Sequence, residues 1–172
     1  GASIDELYRT NGNDRVIYTR YINNKTDLFS VSISNGAPIQ LTAATESAGL
    51  VTWTSPDNRK VVFFTQYDEN GVSKYKLYAI SHEGGTATVL SSTDHTGGNA
   101  QSVSGVDFTS DSKHVIFSIN QNSAMSFYSV PIEGGSLLKL GGPASGSYYQ
   151  MKKYADDAVY FDNKMGATTF YQ

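Results

Sequence analysis

LYAISHEGGTATVLS, residues 77–91, decides the fold, because the chain carries the same pattern twice more. LFSVSISNGAPIQLT starts at Leu28 and FYSVPIEGGSLLKLG at Phe127, so the pattern recurs after 49 and then 50 residues. In each copy a Gly stands eight residues after the first apolar residue (Gly36, Gly85, Gly135), and a Leu stands thirteen after it (Leu41, Leu90, Leu140). An alternating apolar run, a Gly-bearing turn and a second apolar run make a β-hairpin, since Gly accepts the positive φ of a tight turn. A unit of this size is too small to hold a core alone. A tandem array buries its apolar surface between neighbours.

Working outward, each hairpin is preceded by a short β-branched and aromatic run: Val16-Ile17-Tyr18, Val61-Val62-Phe63, Val115-Ile116-Phe117 and Val159-Tyr160-Phe161. These read as short buried strands. Polar turns come before them, at Asn11-Gly12-Asn13-Asp14, Ser55-Pro56-Asp57-Asn58, Ser110-Asp111-Ser112 and Ala155-Asp156-Asp157. Pro presets φ, and Asn or Asp side chains bond their own nearby backbone. Before each turn lies a further strand, marked by Tyr8, Trp53, Phe108 and Met151. One unit is therefore four antiparallel strands, A to D, the arrangement of a propeller blade. The predicted fold is all-β: a single domain over residues 1–172, with about four four-stranded repeats near 4–42, 49–91, 102–140 and 147–172, the last lacking its D strand. Such an array is expected to be a piece of a larger propeller, half of a dimeric ring, or an imperfect four-bladed ring. Trp53, Phe63, Phe108, Val115, Ile116 and Phe117 are predicted to pack between blades.

The succession SPDN, VVFF, LYAI, HEGG, VLS resembles the WD40-like (PD40-type) repeat of TolB-like β-propellers, which is also found in the propellers of prolyl-oligopeptidase-class peptidases and of oligogalacturonate lyase. The resemblance runs through the whole chain and is most specific over Trp53–Ser91 and Phe108–Leu140. It implies a blade. It implies no particular ligand, because one fold hosts many functions.

Composition narrows the function classes. A net charge of −3 without blocks of like charge gives no footprint for nucleic acid. No apolar run is long enough for a membrane span. The absence of cysteine excludes disulfides and thiolate metal sites. The chain opens Gly1-Ala2-Ser3 without Met, which reads as a cloning or processing scar and is compatible with removal of a targeting segment. A periplasmic or extracellular location is expected. There is no Gly-x-Ser-x-Gly elbow and no phosphate-binding Gly loop before a helix, so no catalytic residue is assigned.

Length variation points to a binding face. From the B-strand Val to the first residue of the C-strand motif the spacing is 12, 16 and 12 in the first three units, the excess falling at Tyr67-Asp68-Glu69-Asn70-Gly71. From the D-strand Leu to the next aromatic it is 12 after unit one and 18 after unit two, the excess falling in Ser92–Gln101. Both insertions belong to the same end of neighbouring blades, and insertions confined to one face of an array mark binding surfaces; neutral drift of surface loops is the competing reading. The candidate ligand-binding residues are Tyr67, Asp68, Glu69, Asn70, Asp94, His95 and Asn99. Asp68, Glu69, Asn70 and Asp94 could gather oxygen ligands for calcium, but their spacing matches no EF-hand and solvated acidic loops are commoner, so no cofactor or metal site is assigned. His82 and His114 fall at the opposite end from His95, unlike the histidine-rich metal site that the lyase resemblance implies. The expected role is a non-catalytic module that binds a protein or peptide, with a homodimer through open blade edges as a further expectation. The alternatives are the substrate-gating propeller of a serine peptidase and a carbohydrate-binding or lyase propeller.

Overall fold

The computed structural model describes residues 3–9, 15–34, 36–43, 47–69, 72–92, 100–121, 124–145, 149–154, 158–163 and 167–171. They are all-β, in four antiparallel meanders. The first sheet holds β1 (Ser3–Arg9), β2 (Arg15–Ile22), β3 (Lys25–Ser32) and β4 (Ile39–Gln40). The second holds β5 (Ser47–Thr54), β6 (Lys60–Glu69), β7 (Val72–Ser81) and β8 (Thr88–Ser92). The third holds β9 (Ala100–Phe108), β10 (His114–Gln121), β11 (Ala124–Pro131) and β12 (Leu138–Ser145). The fourth holds β13 (Tyr149–Tyr154), β14 (Ala158–Asn163) and β15 (Ala167–Tyr171). The predicted turns at Asn11–Asp14 and Ala155–Asp157 lie outside the described residues, as does Asn35 of the first hairpin turn.

Side chains alternate across each sheet, so the middle strands β6 and β7 present one face to the first sheet and one to the third. Ile17, Leu28 and Leu41 of the first unit meet Val61, Phe63, Tyr78 and Ile80 of the second. The opposite face of the second unit, with Val62, Leu77, Ala79 and Leu90, meets Val115, Phe117, Ile119 and Val130 of the third. One aromatic pair repeats on the face toward the preceding sheet. Phe63 pairs across strands with Tyr78 and Phe117 with Tyr128, their ring centroids 5.4 and 5.9 Å apart. The first unit repeats it as Tyr18 and Phe29, at 5.4 Å. Burying one such ring completely is worth about 1.5–3 kcal/mol.

Of the six residues predicted to pack between blades, five belong to or pack against these two clusters. Phe63, Phe108, Val115 and Phe117 belong to the two clusters, and Trp53 packs half-buried against the second, its ring 6.4 Å from Phe64. Ile116 is buried on the opposite face of β10 from Val115 and Phe117. The fourth strands also depart from expectation: β4 shrinks to Ile39–Gln40, while β12 continues to Ser145 by pairing along β11 as far as Ala124.

Candidate functional site

The two ends of the sheets are built differently. At the end carrying the A–B and C–D turns, the A–B turns of the second and third units are tied by their own side chains. In the second unit Ser55 Oγ donates to Asp57 Oδ1 (2.6 Å) and accepts the Lys60 amide (3.0 Å), while Asp57 Oδ1 accepts the Arg59 amide (3.1 Å). The third unit repeats this with Thr109 Oγ1 donating to Asp111 Oδ1 (2.7 Å) and accepting the His114 amide (2.9 Å), and Asp111 accepting the Lys113 amide (2.9 Å). Burial pushes the Asp57 carboxyl up, but the Ser55 hydroxyl, the Arg59 amide and the Arg59 charge outweigh it and hold the group below the ordinary carboxylate value. The Thr109 hydroxyl and the Lys113 amide hold Asp111 low in the same way.

These turns also lock one sheet to the next. Asn58 and Ser112 hold the same turn position at φ 60° and 61°, a conformation that disfavours side chains. At that φ the Ser112 hydroxyl accepts the Asp57 amide of the preceding sheet at 3.0 Å. Lys60 Nζ reaches Glu133 Oε2 of the following C–D turn at 2.9 Å. The Ile132 amide donates to Lys113 O at 2.8 Å, and the His82 amide to Arg59 O at 3.1 Å, joining the two turns of each unit. His82 and His114 both sit at this end, as their spacing predicts. This end is a structural seam.

The opposite end carries the B–C hairpins. In the first unit Asn23 and Asn24 make a two-residue turn with φ of 52° and 61°, which matches strand twist and needs residues that tolerate positive φ. Here the structure revises the reading of the insertion. The extra residues of the second unit do not form a longer loop: β6 and β7 are 10 residues each where β2 and β3 are 8, and their ladder runs from Lys60–Ser81 to Glu69–Val72. A spacing increased by four is two added residues per strand. The two strands are thus longer, with two residues between them as in the first unit.

Tyr67 is half-buried on this extension, with Lys76 Nζ 5.0 Å from its ring centroid. Lys74 is the cross-strand partner of Tyr67. Asp68 and Glu69 pair in the ladder with Ser73 and Val72, inside the strand rather than in a loop. Asn70, Asp94, His95 and Asn99 lie outside the described residues. At the same end of the first unit, Tyr21 is exposed and donates to Asn24 Oδ1 at 3.0 Å, and Lys25 bridges Asp27 at 2.6 Å. The structure therefore brings Tyr67 together with two lysines that sequence reasoning missed; alternation along TQYDENGVSKYK is the signal that could have placed them on one face. Among the described residues no group of three His, Asp or Glu could hold a metal ion. No helix among them is long and apolar enough to cross a membrane.

No family model matches the chain, and no curated protein matches it significantly. Solved structures do. The tricorn protease is 9% identical with a TM-score of 0.66, over 92% of this chain and 15% of its own. A putative TolB from Agrobacterium tumefaciens is 17% identical with a TM-score of 0.54, over 87% of this chain and 50% of its own. The propeller domain of the Trilobed protease from Pyrococcus furiosus, described as having an open velcro topology, is 15% identical with a TM-score of 0.57, over 98% of this chain and 57% of its own. Identities this low establish fold alone. The chain is built of β-propeller blades like those of TolB and of peptidase propellers, as its motifs imply. It spans between 15% and 57% of the length of these three chains.

Proposed function

We propose that the chain is a non-catalytic β-propeller module that binds a protein or peptide at the end of the blades carrying the B–C hairpins. One observation carries this reading. The opposite end is consumed by seam contacts, whereas the β6–β7 hairpin extends by two residues per strand and presents Tyr67 beside Lys74 and Lys76. Tyr67, Asp68, Glu69, Asn70, Asp94, His95 and Asn99 form the ligand face. No cofactor is part of this reading. The module works in the periplasm or outside the cell, and a homodimer through blade edges belongs to the same proposal.

The second reading, a substrate-gating propeller of a serine peptidase, is favoured by the likeness to the tricorn protease and to prolyl endopeptidases. The chain covers 28% of the latter's length, so any catalytic domain would lie elsewhere.

The experiment is simultaneous replacement of Asp68, Glu69, Asp94 and His95 by Ala. Thermal stability should stay nearly unchanged, because isolated surface changes usually fall within about 0.5 kcal/mol each. Binding of the native partner should weaken by about tenfold or more. Binding that survives this change but is lost on altering Asp57–Asn58 or Glu83–Gly84 would place the ligand at the seam end instead.

A further inference from the structure

The first two sheets each bury a threonine at the seam they share. Thr19 alternates with Ile17 along β2 and is the cross-strand partner of Leu28, so it lies on the face that meets the second sheet. Thr65 alternates with Val61 and Phe63 along β6 and is the partner of Ala48, so it lies on the face that meets the first. Both residues are 0% exposed, and the hydroxyl oxygen of each is buried without a hydrogen-bond partner. Two hydroxyls held dry and unpaired are costly, because each has given up its hydrogen bonds to solvent.

The next seam shows how the chain fills the same level with apolar side chains. The repeat equates Thr19 with Phe64 and Thr65 with Ile119, and the ladders equate Ala48 with Val103. Ile119 and Val103 belong to the cluster between the second and third sheets, and Phe64 packs against it. At all three positions the first seam carries a smaller side chain, and at two of them that side chain brings a hydroxyl. Lys76, the partner of Thr65 on β7, directs its ammonium to the Tyr67 ring, 5.0 Å from the centroid, and leaves the Thr65 hydroxyl unbonded. The two sheets approach within hydrogen-bond reach beside this point, where Ser47 Oγ, next to Ala48, accepts the Thr26 amide of the first sheet at 3.0 Å.

A buried water takes two to four polar partners, and each threonine hydroxyl offers one donor and an acceptor oxygen. We propose that the seam between the first and second sheets binds a buried water, held by Thr19 Oγ1 and Thr65 Oγ1. The water gives each hydroxyl the partner that the protein does not supply. It also occupies the level that Phe64 and Ile119 fill in the next seam. The site lies inside the array and is independent of the ligand face.

The test combines urea denaturation of the full chain with nuclear Overhauser spectroscopy of bound water. Val keeps the shape of Thr and removes the hydroxyl. Thr19→Val and Thr65→Val should each lower the denaturation midpoint, because each strips the water of one anchor and leaves the other hydroxyl poorly bonded. Thr19→Val/Thr65→Val should recover to at least the midpoint of the better single variant, since no buried hydroxyl then remains at this level. In the parent, the methyl protons of both threonines should show cross-peaks to a long-lived water. Two single variants that each raise the midpoint overturn the proposal, because the hydroxyls would then be dry and unpaired. Coupled single variants without a water cross-peak also overturn it, and would assign a direct bond between the two hydroxyls.

Discussion

Two adjacent glycines in the second C–D turn do different work. Gly84 and Gly85 have φ of 89° and 106°, so any side chain at either position is strained. A Cβ on Gly84 would also come within 2.8 Å of Ile39 Cγ2 in the preceding blade, whereas a Cβ on Gly85 would meet nothing within 4 Å. Gly134 repeats the contact against Thr88 Cγ2 at 2.9 Å. Gly85→Ala should therefore cost about 1–2 kcal/mol from backbone strain alone. Gly84→Ala should cost about 3 kcal/mol or more, because the seam must also open. Urea denaturation of the two variants measures the difference, and equal costs would remove Gly84 from the seam. The turn carboxylates set a second expectation. Asp57 and Asp111 titrate below their ordinary value in the folded chain, so their contribution is complete above the unfolded value, about pH 4, and is lost as pH falls through the lower folded value. Stability measured from pH 6 down to pH 2.5 should fall less steeply in an Asp57→Asn/Asp111→Asn double variant than in the parent.

At the scale of the element, the β6–β7 hairpin separates what the chain needs to fold from what it uses to bind. Its ladder beyond Thr65–Lys76 holds Gln66, Tyr67, Asp68 and Glu69 against Tyr75, Lys74, Ser73 and Val72. Deleting Asp68, Glu69, Val72 and Ser73 would shorten each strand by two residues and leave Tyr67 and Lys74 as the last pair before Asn70-Gly71. The shortened hairpin should match β2–β3 in length, fold with little loss of melting temperature, and lose partner binding. Unchanged binding by titration calorimetry would locate the ligand elsewhere.

The same hairpin shows what was legible in the sequence. Strand existence, order and the repeat all followed from alternation and from Gly84-Gly85, because those are local signals. The direction of the insertion was not legible. Four extra residues fit a loop as well as a longer ladder, and the choice is made by cross-strand pairing, which spacing does not record. Ser112 was readable as a turn residue, but not as the acceptor for Asp57 of another blade. That role depends on which two sheets become neighbours.

At the scale of the molecule, burial is shared between sheets rather than held within them. Phe117 is 0% exposed because Val62, Leu77 and Leu90 of the preceding blade cover it. Phe117→Ala should cost about 3–5 kcal/mol. Trp53→Ala should cost less, about 2–3 kcal/mol, since its ring is half-buried at the margin of the same cluster. A reversed order in denaturant titrations would mean that Trp53 reaches deeper into the seam.

The last expectation concerns cooperativity. Among the described residues the cluster around Phe117 draws on the second and third units, so residues 47–145 contain all of these, whereas residues 47–92 contain one side. In a repeat array the intrinsic stability of a unit is low and the interface between neighbours supplies the rest. The fragment 47–92 should therefore remain unfolded in isolation, with random-coil amide shifts and rapid hydrogen exchange. The fragment 47–145 retains Phe117 against Val62, the Asp57–Ser112 hydrogen bond and the Lys60–Glu133 bridge, and should unfold in a single cooperative transition. A folded single unit, or a paired fragment that melts without cooperativity, would show that the sheets draw their stability from within rather than from the seam between them.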